Sequence, residues 1–78
     1  MHLTSSLRKE LKKISRRDQK LIKKIEKQLS LFVENPNHPS LRLHKLSGQL
    51  KNFWSISVTR SVRMSYTIED DTAIFSDI

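Results

Sequence analysis

The hydrophobic period of this chain changes at Asn35-Pro36, and that change restricts the fold more than any other feature. Before it, Leu3, Leu7, Leu11 and Ile14 recur at steps of four, four and three. This spacing puts them on one face of an amphipathic helix. Thr4, Ser5 and Ser6 are candidate caps for its start, because their side-chain oxygens accept from unpaired backbone N–H groups. Ser15 and Asp18 have the spacing of a capping box, and Asp18 can itself serve as an N-cap, so Ser15-Arg16-Arg17-Asp18 predicts a helix break. A second stripe follows in Leu21, Ile22, Ile25, Leu29, Phe32 and Val33, with Lys20, Lys23, Lys24 and Lys27 largely off it. Pro36 ends this helix, since the residue before a proline is driven out of the α region. Two antiparallel helices joined by a short turn satisfy both stripes.

Beyond the rigid connector Asn35-Pro36-Asn37-His38-Pro39 the pattern alternates. Leu41 and Leu43 alternate with Arg42 and His44, which predicts a short strand, and Ser47-Gly48 predicts a turn. Trp54, Ile56 and Val58 then alternate with Ser55, Ser57 and Thr59, and Val62, Met64, Tyr66 and Ile68 with Arg63, Ser65 and Thr67. Arg60-Ser61 is short enough for a hairpin link, although it lacks Gly or Asn. Glu69-Asp70-Asp71 is a second polar turn, and Thr72 to Ile78 is a further strand. Helices first and strands after indicate an α+β fold: an N-terminal antiparallel helix pair packed on one face of a three- to four-stranded antiparallel sheet. The apolar set from Trp54 to Ile68 meets the helices, with Trp54 and Tyr66 as core residues. The opposite face carries Ser55, Ser57, Thr59, Arg63, Ser65 and Thr67. At 78 residues the chain predicts a single small domain, 1–78, with a thin core.

Composition removes several kinds of chemistry. The absence of cysteine excludes a thiol nucleophile, an iron–sulfur cluster and a Cys-based zinc site. His2, His38 and His44 lack metal-ligand spacing, and one glycine cannot build a phosphate-binding loop. No apolar run approaches the ~20 residues of a membrane span. Met1-His2-Leu3-Thr4 has no apolar signal region, which predicts a cytoplasmic protein without membrane contact.

Charge is the outlier. The net charge is +7, and ten Lys/Arg against four Asp/Glu fall between Met1 and Asn35. A polyanionic partner such as nucleic acid explains this through counterion release, and a solvated basic helix face explains it equally well. The chemistry left open is metal-free acid–base cleavage of a phosphodiester. That reaction needs a base for the 2′-hydroxyl, an acid for the leaving oxygen and a cation for the crowded phosphorane. His44, Arg60 and Arg63 can supply parts of it. On residue type alone, His44 is more often a surface strand histidine than a catalyst, and Arg63 more often a solvated strand cation.

Three stretches resemble one known family: Asn35-Pro36-Asn37-His38-Pro39-Ser40-Leu41-Arg42-Leu43-His44-Lys45-Leu46-Ser47-Gly48, Trp54-Ser55-Ile56-Ser57-Val58, and Ser61 through Ile68. Together with the helix opening Ser5 to Lys13, they resemble the RelE/ParE toxin superfamily of bacterial type II toxin–antitoxin modules, in its RelE and YafQ-like branch. The resemblance implies a RelE-like domain that cuts mRNA in the ribosomal A site without metal or other cofactor. It implies a small antitoxin, the ribosome and mRNA as partners, and operator DNA when the antitoxin is bound. By position, His44 matches a catalytic histidine, Arg63 an arginine that stabilises the transition state, and Arg60 a phosphate contact. Lys12, Lys13, Arg16 and Arg17 become RNA-backbone contacts by charge, with Arg42 and Lys45 as further RNA contacts.

Departures from the pattern are specific. Ser57 and Ser61 stand where YafQ-like members can carry histidine and aspartate. Relatives continue with a Gly-x-His segment on the last strand, where this chain reaches Asp77-Ile78, so the resemblance implies weakened cleavage. A ParE-like gyrase-inhibiting toxin and a catalytically inactive module that binds nucleic acid or antitoxin are the alternatives.

Overall fold

The computed structural model describes residues 1–46 and 53–78; the Ser47-Gly48 turn lies outside them. Helix α1 spans Ser5–Arg17 and α2 spans Gln19–Glu34. Of the three candidate caps it is Thr4 that starts α1, its Oγ1 accepting from the Leu7 N–H at 3.2 Å. Asp18 serves both helices. Its N–H bonds to the Ile14 carbonyl at 2.8 Å, closing α1, and its carboxylate accepts from the Leu21 N–H at 3.0 Å, opening α2. Ser15 takes no part in a capping box and donates instead to the Lys12 carbonyl at 2.7 Å. At the far end Asn35 is extended ahead of Pro36, as the proline requires. Among the described residues no helix is long and apolar enough to cross a membrane.

The sheet has five strands: β1 (His2–Leu3), β2 (His44–Lys45), β3 (Phe53–Ser57), β4 (Arg63–Glu69) and β5 (Thr72–Asp77), in the order β1-β5-β4-β3-β2. All pairs are antiparallel except β1 with β5. The strand beyond the three or four read from the sequence is β1, whose two residues are too few to show alternation. The strand read around Leu41–His44 is present only as the two-residue β2. At the β3–β4 hairpin the Thr59 side chain supplies the turn chemistry that Gly or Asn usually gives. Its Oγ1 accepts from the N–H groups of Ser61 and Val62 at 3.3 and 3.1 Å. Asp70 and Asp71 link β4 to β5 with φ of 48° and 62°. Two successive positive values define a type I′ turn, and aspartate tolerates them better than most residues.

Leu41 is fully buried, but not in a strand. Pro39–Leu41 forms a 3₁₀ turn with Pro39 in its first position. His38 caps it, Nδ1 accepting from the Ser40 N–H at 3.1 Å. Proline's fixed φ and missing N–H favour such a start over continued extension, so the predicted alternation of Leu41 with Leu43 gives way. Arg42 then adopts the left-handed conformation, φ 46° and ψ 54°, and turns the chain into β2.

Leu7, Ile14, Ile25, Phe32 and Leu41 pack with Ile56, Val58, Met64, Tyr66 and Phe75 in one cluster on the helix-covered face of the sheet. Phe32, Tyr66 and Phe75 form its aromatic centre, with ring centroids 4.8–5.1 Å apart. Two residues expected in the core lie outside it: Val33 is 62% exposed and Ile68 47%. Val33 sits one residue, about 100° of helical rotation, past the buried Phe32, and Ile68 precedes the β4–β5 turn. In their place α2 buries a polar side chain. Gln28 donates to the Ser57 carbonyl at 2.8 Å and to the Ser40 carbonyl at 3.2 Å, joining helix, strand and 3₁₀ turn. Phe32, Val33, Leu43, Trp54, Tyr66 and Ile68 border an open groove of about 400 Å³ on this side.

Burial raises the Tyr66 hydroxyl above its ordinary pKa. The unfolded chain therefore ionises first, and the stability held below about pH 10 is lost as pH rises from there through the folded value. Denaturant melts of the wild type and Tyr66→Phe between pH 8 and about 11 test this. The Tyr66→Phe variant should show the shallower alkaline loss, and parallel curves would refute it.

Candidate functional site

With the helices on one side, the other face of the sheet is left to polar residues. The strand register aligns His44 with Ser55, Ser55 with Ser65 and Ser65 with Asp77 in one row across β2, β3, β4 and β5. Directly opposed residues project from the same face, with Cβ atoms about 4.5–5.5 Å apart. His44 is exposed at the open end of this row. Its imidazole can accept or donate a proton through either ring nitrogen.

Arg63 lies opposite Ser57, one step off the row, and its side chain folds back across Ser55. Nε donates to the Ser55 hydroxyl at 2.9 Å, and Nη2 donates to the Arg42 carbonyl at 2.7 Å and to the Ser55 carbonyl at 3.3 Å. Ser55 is 3% exposed under this cover, although it belongs to the polar face. Hydrogen bonds from a charged donor are roughly twice as strong as neutral ones, so the guanidinium is held rather than floating. The left-handed conformation of Arg42 disfavours an L-residue by about 1–2 kcal/mol, and it is this backbone that delivers one of the acceptors.

Of the residues singled out from the sequence, His44 and Arg63 come together through Ser55. Arg60 is exposed at the β3–β4 hairpin tip, beyond the last paired residues Ser57 and Arg63. Lys45 alternates to the helix side, where its Nζ lies 5.4 Å from the Trp54 ring centroid. It cannot share a face with its neighbour His44. Lys12 and Lys13 are exposed on α1. Arg16 and Arg17 occupy its last turn, where cations complement the helix dipole. Arg17 is 3.9 Å from Glu10 in an exposed pair of little energetic worth, and it borders a shallow depression with Ser61, Val62 and Arg63. The Arg42 side chain is exposed, whereas its carbonyl holds Arg63. Sequence reasoning missed Ser55 and this carbonyl as parts of the site. A serine in mid-strand next to Trp54 was legible, but the bond that makes it matter spans eight residues. Among the described residues no three His, Asp or Glu side chains gather closely enough to hold a metal ion.

A model of the ParE toxin family, described as the toxin of the type II toxin–antitoxin system parDE, matches residues 1–78. The chain belongs to this family. A curated relative, the RelE4 toxin candidate of Methanocaldococcus jannaschii, is 30% identical over 79 residues, covering 99% of this toxin and 80% of the relative. The fold is shared with YoeB in the YoeB–YefM complex from Staphylococcus aureus, at a TM-score of 0.80 and 19% identity over 97% of this chain and 88% of the other. It is also shared with a YoeB/ParE toxin from Agrobacterium tumefaciens (0.78, 21%, 100% and 93%) and with a chain of the DinJ–YafQ complex from E. coli (0.78, 17%, 97% and 86%). The protein is thus a type II toxin with the RelE/YoeB/YafQ fold.

The toxin's left-handed Arg42 makes a stability prediction. Glycine adopts this conformation freely and valine does not. Arg42→Val should unfold at lower urea concentration than Arg42→Gly, by about 1–2 kcal/mol. Equal midpoints would mean that residue 42 is not left-handed in solution.

Proposed function

We propose that the toxin is a ribosome-dependent mRNA endoribonuclease whose reaction centre is the polar face around His44 and Arg63. The observation that carries this reading is the Arg63 guanidinium, fixed by Ser55 and the Arg42 carbonyl on the same face as the exposed His44. In the proposed reaction the RNA 2′-oxygen attacks the adjacent phosphorus as its proton leaves. The bond to the 5′-oxygen breaks, and that oxygen takes up a proton. The products are a cyclic phosphate and a 5′-hydroxyl, and no metal is required. His44 transfers a proton, Arg63 neutralises charge building on the phosphorane, and Arg60 meets a flanking phosphate. Lys12, Lys13, Arg16 and Arg17 supply backbone attraction by charge, and the exposed Arg42 adds to it.

A translating cell-free system with mRNA ends mapped by primer extension tests the proposal. The wild type should create new ribosome-dependent ends. His44→Ala should slow their appearance by about 10²–10⁴-fold, the usual range for a proton-transfer group. Arg63→Ala should slow it by about 10²–10³-fold, as for a lost charge stabiliser. Unchanged cleavage in both variants would overturn the site. The ParE description of the matching family favours a second reading, gyrase inhibition. Gyrase-dependent DNA breaks with no new mRNA ends would select it.

We also propose a small antitoxin as partner, because the YoeB and YafQ neighbours are seen with YefM and DinJ. A net charge of +7 favours an acidic antitoxin. The groove beside the exposed Val33 and Ile68 offers it an apolar seat. Adding the antitoxin should raise the melting temperature by mass action, and Ile68→Asp should reduce the rise. No shift at saturation would rule the partner out, and an undiminished shift in Ile68→Asp would rule out the groove.

A further inference from the structure

We infer that Ser55, acting with the left-handed backbone at Arg42, is a positioning residue that decides which edge of the Arg63 guanidinium meets a bound phosphate. The inference rests on the RNA-cleavage reading of the same face. An arginine on a solvated strand face normally samples many rotamers and offers several pairs of N–H donors in turn. Here Nε and Nη2 are both turned inward, to the Ser55 hydroxyl, the Ser55 carbonyl and the Arg42 carbonyl. The outward donors are those of Nη1, so a phosphate oxygen is met end-on by one nitrogen from a fixed direction.

The three acceptors are themselves held in place by separate means. The Ser55 hydroxyl and carbonyl belong to β3, which is paired on both sides by β2 and β4. The Arg42 carbonyl is aimed by φ 46° and ψ 54°. Gln28 fixes β3 and the turn relative to one another. It bonds to the Ser57 carbonyl, opposite Arg63, and to the Ser40 carbonyl, two residues before Arg42. Gln28 and Ser55 are the two buried polar residues among the described residues, and both act on the setting of Arg63. Had Ser55 only filled space on a central strand, alanine or valine would serve there and Nε would have no acceptor.

The experiment uses the full chain as wild type, Ser55→Ala, Ser55→Thr, Arg63→Ala and the Ser55→Ala/Arg63→Ala double variant, each checked for its melting transition. Arginine-selective ¹H–¹⁵N spectra should show a slowly exchanging Arg63 Nε–H signal in the wild type. The signal should be lost in Ser55→Ala and regained in Ser55→Thr, which keeps the hydroxyl. In ribosome-dependent cleavage Ser55→Ala should lower kcat by up to about 10²-fold, the cost of a misplaced group, with KM within about twofold. Loss of fold in Ser55→Thr would leave the wild-type signal and the alanine variants to decide. A rapidly exchanging Nε–H in the wild type, a signal that persists in Ser55→Ala, or an unchanged kcat beside a wild type that cleaves would overturn the inference.

Binding of an RNA carrying a 2′-deoxy sugar at the scissile position separates this inference from the nuclease reading. If the wild type never cleaves, that reading fails, and a double-mutant cycle on this RNA still decides the positioning role. Non-additive losses, with Arg63→Ala costing less than about twofold once Ser55 is alanine, uphold it. Additive losses overturn it.

Discussion

Apolar side chains are scarce enough in this chain that only one face of the sheet can be covered. They make up 36% of the residues, and the buried ones gather almost wholly between the helix pair and the inner face of β3, β4 and β5. A β-sheet has two faces, so the other must be stable in contact with water. Serines, threonines and Arg63 fill it. The polar surface on which the candidate reaction centre stands is therefore the other side of a limited hydrophobic supply. A larger core would have needed a second covering layer over that face.

Two buried polar residues connect the faces. Gln28 reaches from the helix layer to carbonyls of β3 and the 3₁₀ turn, and Ser55 receives Arg63 on the far side. Buried polar groups with satisfied partners specify geometry more than they add stability. These two specify the relation between the segment that carries Arg42 and His44 and the strand pair that carries Arg63. The short length of β2 fits this arrangement, because side-chain bonds assist the ladder in holding the segment.

Long periodic elements were the legible part of the sequence. Both helix stripes, the Asp18 break, the β3–β4 hairpin and the alternating β4 pattern appear where the periodicity puts them. What escaped is local geometry that overrides a pattern, and short pairing that leaves none. Pro39 and the His38 cap bend the Leu41 region into a 3₁₀ turn, and the two-residue β1 has no period to detect. For the candidate site, residue type and family resemblance drew attention to His44 and Arg63. Neither could reveal that Lys45 turns away toward Trp54, since that depends on which strand face it joins. Nor could they show that Arg42 contributes its carbonyl through a left-handed turn.

The parallel pairing of β1 with β5 joins the second and third residues of the chain to Ile74 and Phe75. Phe75, at the centre of the aromatic cluster, is fully buried. Closing a loop of that length is entropically costly and comes late among folding events. During synthesis the helix pair can form early, but the core stays open until β5 has left the ribosome. The folded domain is then available only once β5 has been made and joined to β1, which separates the moment of making its helices from the moment at which the domain can act.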